Sequence, residues 1–202
     1  MIFPRAVTES VGFLGRTVVD DSAYSQYIKS CNGGLYFSGS LWIYSRVSES
    51  EDFSLTNENE IIKKSYDFVK DIAQKCAFAC DAFNNQFLFS SKGIEYMDIE
   101  TGECQFFARN FSDWVQAINE NSDYLTGEPY YASLLQSKEM KGSDYYRRIL
   151  ANRPFVIGGD FALENMRLSD MREHVAFNSH LARQLHNLPD KTNVRISLIP
   201  PK

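Results

Sequence analysis

Carboxylates are the most abundant side chains in this sequence that could do chemistry, with 26 Asp and Glu against 21 Lys and Arg in 202 residues. Acid–base catalysis needs two carboxylates whose surroundings set their pKa values apart, and the sequence marks out no such pair. Asp81 is the most prominent candidate, because it follows an apolar run and heads a turn. An Asp there commonly accepts hydrogen bonds from the backbone two residues on. We therefore expect turn capping by Asp81, with contact to a partner as the alternative.

Histidine and cysteine do not stand at metal-binding spacing. His174, His180 and His186 are six residues apart, whereas a helical metal pair needs positions i and i+4. Cys76 and Cys80 share one apolar run without a second pair, and we expect reduced core thiols. The sequence also lacks phosphate-binding and nucleophile motifs. The sequence therefore predicts a binding protein without metal or cofactor, and not an enzyme. The alternative is a hydrolase or nucleotide enzyme, which metal or nucleotide bound to the purified protein would favour.

Charge is distributed unevenly along the chain. Residues 1–137 hold 19 acidic and 10 basic residues, whereas residues 138–202 hold 7 acidic and 11 basic ones. Such asymmetry bears on partners and association rates, and it predicts a basic partner for the acidic portion. Nucleic acid is not expected there, because phosphate binding needs clustered Lys and Arg.

No run approaches the ~18 apolar residues of a membrane span and the start does not resemble a signal peptide, so we expect a cytoplasmic location.

The first 120 residues predict helices around an antiparallel sheet. Helical spacing predicts a helix over residues 20–31, and the aromatic and β-branched residues at 35–44 predict one or two strands around Gly39. We expect an acidic loop at 45–59 and an amphipathic helix at 60–74. Four short apolar runs, at 76–80, 86–90, 94–99 and 104–108, are separated by turn residues. They predict an antiparallel meander, followed by a helix over 110–119.

The remainder predicts mixed elements. We expect helices at 128–138 and 144–151, a strand at 154–161 that continues through 166–168, a helix at 178–187 and a final strand at 194–199. The order favours an α+β fold, with a sheet domain over 1–122 and a small extension over 123–202 packed on the same core.

Three stretches together resemble the SUKH superfamily of Smi/Knr-like proteins: YSQYIKSCNGGLY at 24–36, FACDAFNNQFLF at 78–89 followed by DIETGE at 98–103, and FSDW at 111–114. Two departures occur. Asn84 stands where the family has a Gly, and the Pro that commonly opens the first helix is missing. Since Asn tolerates a left-handed turn, the first departure is mild. Residues 125–127, 154–161 and 188–190 are similar to the extension of a longer branch of the superfamily.

The resemblance implies a bacterial immunity protein that binds a cognate toxin of a polymorphic or contact-dependent system in the cytoplasm, with stoichiometric inhibition. Many such toxins are nucleases with basic faces. A scaffold or regulatory module on the same fold is the alternative. Aromatic anchors inside an acidic rim would suit such a partner. The candidate toxin-binding residues are Tyr36, Trp42, Tyr44, Glu49, Glu51, Asp52, Asp81, Tyr96, Glu100 and Glu103.

Overall fold

A six-stranded antiparallel sheet forms the centre of the molecule. The computed structural model describes residues 21–46, 54–136, 145–186 and 188–189. The strands lie in sequence order, each paired with the next, which is the predicted meander with two further strands at its start. They are β1 (Gly34–Tyr36), β2 (Leu41–Ile43), β3 (Cys76–Cys80), β4 (Gln86–Ser90), β5 (Gly93–Met97) and β6 (Cys104–Ala108). The predicted α+β class is therefore confirmed.

Three helices cover this sheet close to their predicted positions: α1 (Ser22–Cys31), α2 (Leu55–Ser65) and α3 (Phe111–Glu120). Asp21, Ser54 and Asn110 cap them, each accepting a hydrogen bond from a backbone N–H of the first turn. Helix α2 begins five residues earlier than expected and ends at Ser65, because the cap lies in the polar stretch that looked like a loop. A short helix, α4 (Ser122–Thr126), was not predicted.

The passage from α1 into β1 depends on backbone conformations that few residues tolerate. Asn32 ends α1 in the left-handed region with φ of 53°, and Gly33 follows with φ of 80°. A Cβ at Gly33 would lie 2.5 Å from the carbonyl oxygen of Ile43. The predicted helix stop is therefore also a point where two backbones meet too closely for a side chain.

Aromatic rings dominate the main core. Phe78 of β3 lies 4.4 Å from Phe89, 5.0 Å from Trp114 and 5.5 Å from Tyr24, measured between ring centroids. Every residue of β3 is buried, so the sheet is covered on both faces at this strand. Strand β3 thus joins the helices on one face to the elements on the other.

The C-terminal elements differ from the prediction. Residues 148–151, expected in a helix, form strand β7 (Arg148–Ala151), which pairs with β8 (Met166–Ser169) in a second, two-stranded sheet. The local helical pattern is overridden because the Ile149 N–H donates to the carbonyl of Ala82 and extends the pairing of this segment. Residues 154–161, expected as a strand, contain a 3₁₀ turn (Phe155–Ile157) that ends at Gly158 with φ of 85°. The predicted strand at 194–199 lies outside the described residues.

Two further helices complete the described chain: α5 (Glu128–Gln136), as predicted, and α6 (Met171–Leu185), which begins seven residues before its predicted start. Helix α6 places Met171, Val175 and Ala182 in the same hydrophobic core as the sheet. Its Arg172 guanidinium lies 3.0 Å from the fully buried carboxylate of Glu58 on α2. The C-terminal elements therefore pack on the core of the sheet. None of the helices within the described ranges is long and apolar enough to cross a membrane.

Asn59 on α2 supports the backbone of β3 where its pairing with β2 ends. Strand β2 pairs with Ala79 and Cys80 of β3 and does not reach Ala77, whose N–H and C=O need other partners. Asn59 supplies both: its Nδ2 donates to the Ala77 carbonyl at 2.7 Å, and its Oδ1 accepts from the Ala77 N–H at 2.8 Å. One side chain thus replaces the missing strand partner.

We expect Asn59→Ala to lower the free energy of unfolding by about 2–4 kcal/mol, because two buried backbone groups lose their hydrogen bonds. Chemical denaturation measures the change. Glu60→Ala, at an exposed position of the same helix, is the control and should stay within about 0.5 kcal/mol of wild type. Equal effects of the two substitutions would contradict the role given to Asn59.

Candidate binding groove

A cavity of about 710 Å³ lies between the sheet and the C-terminal elements, with residues 81–107 on one side and residues 149–178 on the other. We call it the acidic groove. Its aromatic lining residues are Phe83, Tyr96, Phe106, Phe107, Tyr124, Phe155 and Phe161, and its polar ones include Asp81, Asp98, Glu100, Gln105, His174 and Asn178. This volume and this mixture of aromatic and polar groups are typical of ligand-binding pockets. Three of the predicted contact residues, Asp81, Tyr96 and Glu100, meet here.

Asp81 organises the turn between β3 and β4. Its Oδ1 accepts from the backbone N–H groups of Phe83 and Asn85, both at 2.9 Å, and its Oδ2 accepts from the Asn85 side-chain amide at 3.0 Å. Asn84 takes the left-handed conformation, with φ of 65°, which Asn tolerates better than most residues. Turn capping, the expected role of Asp81, is confirmed.

Tyr96 extends this network across the sheet, because its hydroxyl donates to Asp81 Oδ2 at 2.8 Å. Burial raises the pKa of Asp81 to about 6, and the hydrogen bonds from Asn85, Tyr96 and Phe83 oppose this shift. The carboxylate is 3% exposed and already accepts four hydrogen bonds. It therefore shapes the groove by fixing the turn and the Tyr96 ring, and it offers little direct contact.

Glu100 fixes the opposite wall. Its two carboxylate oxygens accept from the backbone N–H groups of Phe155 and Val156, at 3.1 and 2.8 Å. These bonds link the turn between β5 and β6 to the 3₁₀ turn some 55 residues later in the chain. Burial raises the pKa of Glu100, and the two N–H donors lower it. This carboxylate holds the C-terminal wall of the groove against the sheet.

His174 and Asn178, one turn apart on α6, line the inner wall. Nε2 of His174 lies 2.8 Å from the carbonyl of Ile149, which can only accept, so Nε2 carries the proton. Burial lowers the pKa of His174 to about 4, and the ring is neutral at pH 7. Nδ1 therefore accepts from Nδ2 of Asn178 at 2.9 Å. This fixes the amide orientation, and Oδ1 of Asn178 has no hydrogen-bond partner among the described residues.

The rim of the groove combines exposed rings with negative charge. Phe106 is 58% exposed, Phe161 54% and Tyr124 89%. The exposed Asp98 and the buried Glu100 belong to the same lining, and none of the described residues that line the groove is Lys or Arg. Exposed rings beside carboxylates form a surface that suits a partner with both apolar and cationic groups.

Trp42 and Tyr44, two of the predicted aromatic anchors, belong to the core. Trp42 is 1% exposed, and the hydroxyl of the fully buried Tyr44 donates to Gln86 at 2.6 Å. Neither ring offers surface to a partner, which corrects the expectation that they anchor one. The reason is that β3 pairs with β2 and draws this aromatic strand into the middle of the fold.

The other predicted residues lie apart from the groove. Tyr36 is half-buried on β1, at the far edge of the sheet, where its hydroxyl lies 2.7 Å from that of Tyr27. Glu103 is exposed and lines a second cavity beside Lys75. Glu49, Glu51 and Asp52 lie outside the described residues. The predicted set therefore does not form a single surface.

Several groove residues were not foreseen from the sequence: Phe106, Tyr124, Phe155, Phe161, His174 and Asn178. One signal was available for Phe106, because consecutive aromatic residues in a strand must face opposite sides of the sheet. His174 and Asn178 stand four apart, which places them on one face of a helix. The sequence predicts this helix only from residue 178, which leaves His174 outside it.

Comparisons with known proteins support the fold but give no function. No protein-family model matches the chain, and no curated protein matches it. A crystal structure of Atu4351 from Agrobacterium tumefaciens is similar, with a TM-score of 0.55 and 14% identity over 78% of this chain and 74% of that one. At this identity the likeness shows a shared fold alone.

We expect the free energy of unfolding to fall at acid pH because of His174. The pKa of His174 is lowered from 6.5 to about 4 in the folded protein, so its contribution to the free energy of unfolding is fully present above pH 6.5 and is lost as the pH falls towards 4. The shift corresponds to roughly 3 kcal/mol between pH 7.5 and pH 4. The stability difference between wild type and His174→Gln should change by this amount, measured by urea denaturation across the range. His186→Gln, at an exposed histidine, is the control, and a similar pH dependence for both variants would contradict the assignment.

Proposed function

We propose that this chain is an immunity protein that neutralises a cognate protein toxin by stoichiometric binding, and that the acidic groove contacts the toxin. One observation carries the proposal: exposed rings of Phe106, Tyr124 and Phe161 surround carboxylates in a groove whose described lining contains no Lys or Arg. The resemblance of residues 24–36, 78–103 and 111–114 to SUKH proteins supports the same function. The proposed place of action is the cytoplasm.

The electrostatics of the groove favour a toxin with a basic surface. An acidic face increases the rate of encounter with such a partner, and it competes with nucleic acid for the same basic surface when the toxin is a nuclease. A tight complex needs about 1,200 Å² or more of total buried area, so the contact must extend beyond the groove onto its rim. Strand β6, which carries Phe106, lies at the edge of the sheet and extends that surface.

Aromatic residues commonly dominate binding energies at interfaces, and truncation of a central one weakens binding by about tenfold or more. Phe106→Ala should reduce the affinity for the toxin by this amount without loss of stability, since more than half of the ring is exposed. Val115→Ala, an exposed apolar residue on α3 away from the groove, is the matched control. We expect the gene next to the one that encodes this chain to encode the toxin. Titration calorimetry with the product of that neighbouring gene measures both affinities.

Co-expression with the same gene product tests the function itself. Rescue of growth and co-purification are expected, with an association rate that falls as salt increases. Binding without rescue would favour a scaffold or regulatory module, and an association rate indifferent to salt would contradict the electrostatic part. If Phe106→Ala and Val115→Ala weaken binding equally, the groove is not the contact surface.

A further inference from the structure

Asn178 is a buried polar side chain with an unused acceptor at the inner wall of the acidic groove. It is 1% exposed, and its Nδ2 is engaged by His174. Its Oδ1 has no partner within the part of the chain that the structure describes. A buried acceptor without a hydrogen bond is costly, so a position of this kind needs an explanation in a folded protein. Since Oδ1 can only accept, the group that satisfies it must donate.

Negative charge and aromatic rings surround the same space. Asp98 is exposed in the lining, whereas Glu100 is 8% exposed. Each carboxylate oxygen of Glu100 accepts one backbone N–H and keeps a second lone pair for another donor. Phe155 and Phe161 lie 4.7 Å apart, and Phe83 lies 5.2 Å from Phe161, measured between ring centroids. These rings give the groove flat apolar walls. Acceptors and flat rings together favour a planar cationic donor.

We infer that the acidic groove is a pocket for the guanidinium of an arginine side chain on the partner protein. This assignment rests on the proposed function, in which the groove faces the toxin. Guanidinium is planar, weakly hydrated and carries five donors, so it stacks on aromatic walls and bonds to several acceptors at once. An ammonium fits the walls less well, because it is compact and strongly hydrated. Oδ1 of Asn178 receives the deepest donor, directly or through one bridging water.

The test uses the full-length protein and three short peptides, acetyl-Gly-Arg-Gly-amide, its lysine analogue and its citrulline analogue. Citrulline keeps the planar shape of arginine and loses the charge. We expect saturable shifts in two-dimensional NMR spectra for the arginine peptide, at the Asn178 side-chain amide and at the amides of Phe155 and Val156. The citrulline peptide should bind at least about tenfold more weakly, because its hydrogen bonds are not charge-assisted. Equal binding of the two, or tighter binding of the lysine peptide, would overturn the inference.

Asp98→Asn removes one groove charge while keeping an oxygen that can accept from the N–H groups of Glu100 and Thr101. It should weaken arginine-peptide binding by about three- to tenfold. Glu60→Gln removes an exposed charge on α2 away from the groove. It is the matched control and should leave the affinity for the arginine peptide unchanged. No saturable shift up to about 10 mM peptide, or shifts confined to other surfaces, would also overturn the inference. Because no toxin is present, these failures are distinct from a failure to rescue growth.

Discussion

A buried arginine joins the C-terminal elements to the sheet, and these elements form the C-terminal wall of the acidic groove. Arg148 of β7 is fully buried, and its guanidinium donates to the carbonyl of Arg147 at 2.9 Å and reaches Cys80 Sγ at 3.4 Å. The ring centroids of Trp42 and Tyr131 lie 5.6 and 5.7 Å away. A buried charge is costly without such partners, and Nη2 of Arg148 has none among the described residues. Separation of the C-terminal elements from the sheet would break the contacts of Arg148 with Cys80 and Trp42.

The six-stranded sheet could be predicted well from the sequence, because the residues that set the limits of its strands and helices lie next to them in the chain. Turn residues such as Asn84 and caps such as Asp21 specify strand and helix limits within a few residues of chain. In the C-terminal portion the deciding interactions are distant. Residues 148–151 are extended because Ile149 bonds to the backbone of Ala82, and no window around residue 150 contains that partner. The same reason explains why the 3₁₀ turn at Phe155 was taken for a strand.

The candidate site was predicted in part. The turn residues Asp81 and Glu100 and the strand residue Tyr96 were identified, since acidic turns and aromatic strands are visible in the sequence, and they meet at the groove. The choice among aromatic residues failed at Trp42 and Tyr44, because type and spacing do not distinguish a core ring from a surface ring. The basic last third, which had no expected role in binding, supplies eight of the 21 residues that line the groove.

Glu100 attaches the loop that begins at Phe155 by its backbone, not by its side chains. Any residue except proline provides the N–H that the carboxylate needs at positions 155 and 156. The side chains of this wall can therefore be replaced during evolution while the wall stays in place. Substitutions at Val156, Phe161 or their neighbours can therefore change the surface of the groove while the backbone attachment of this wall is kept.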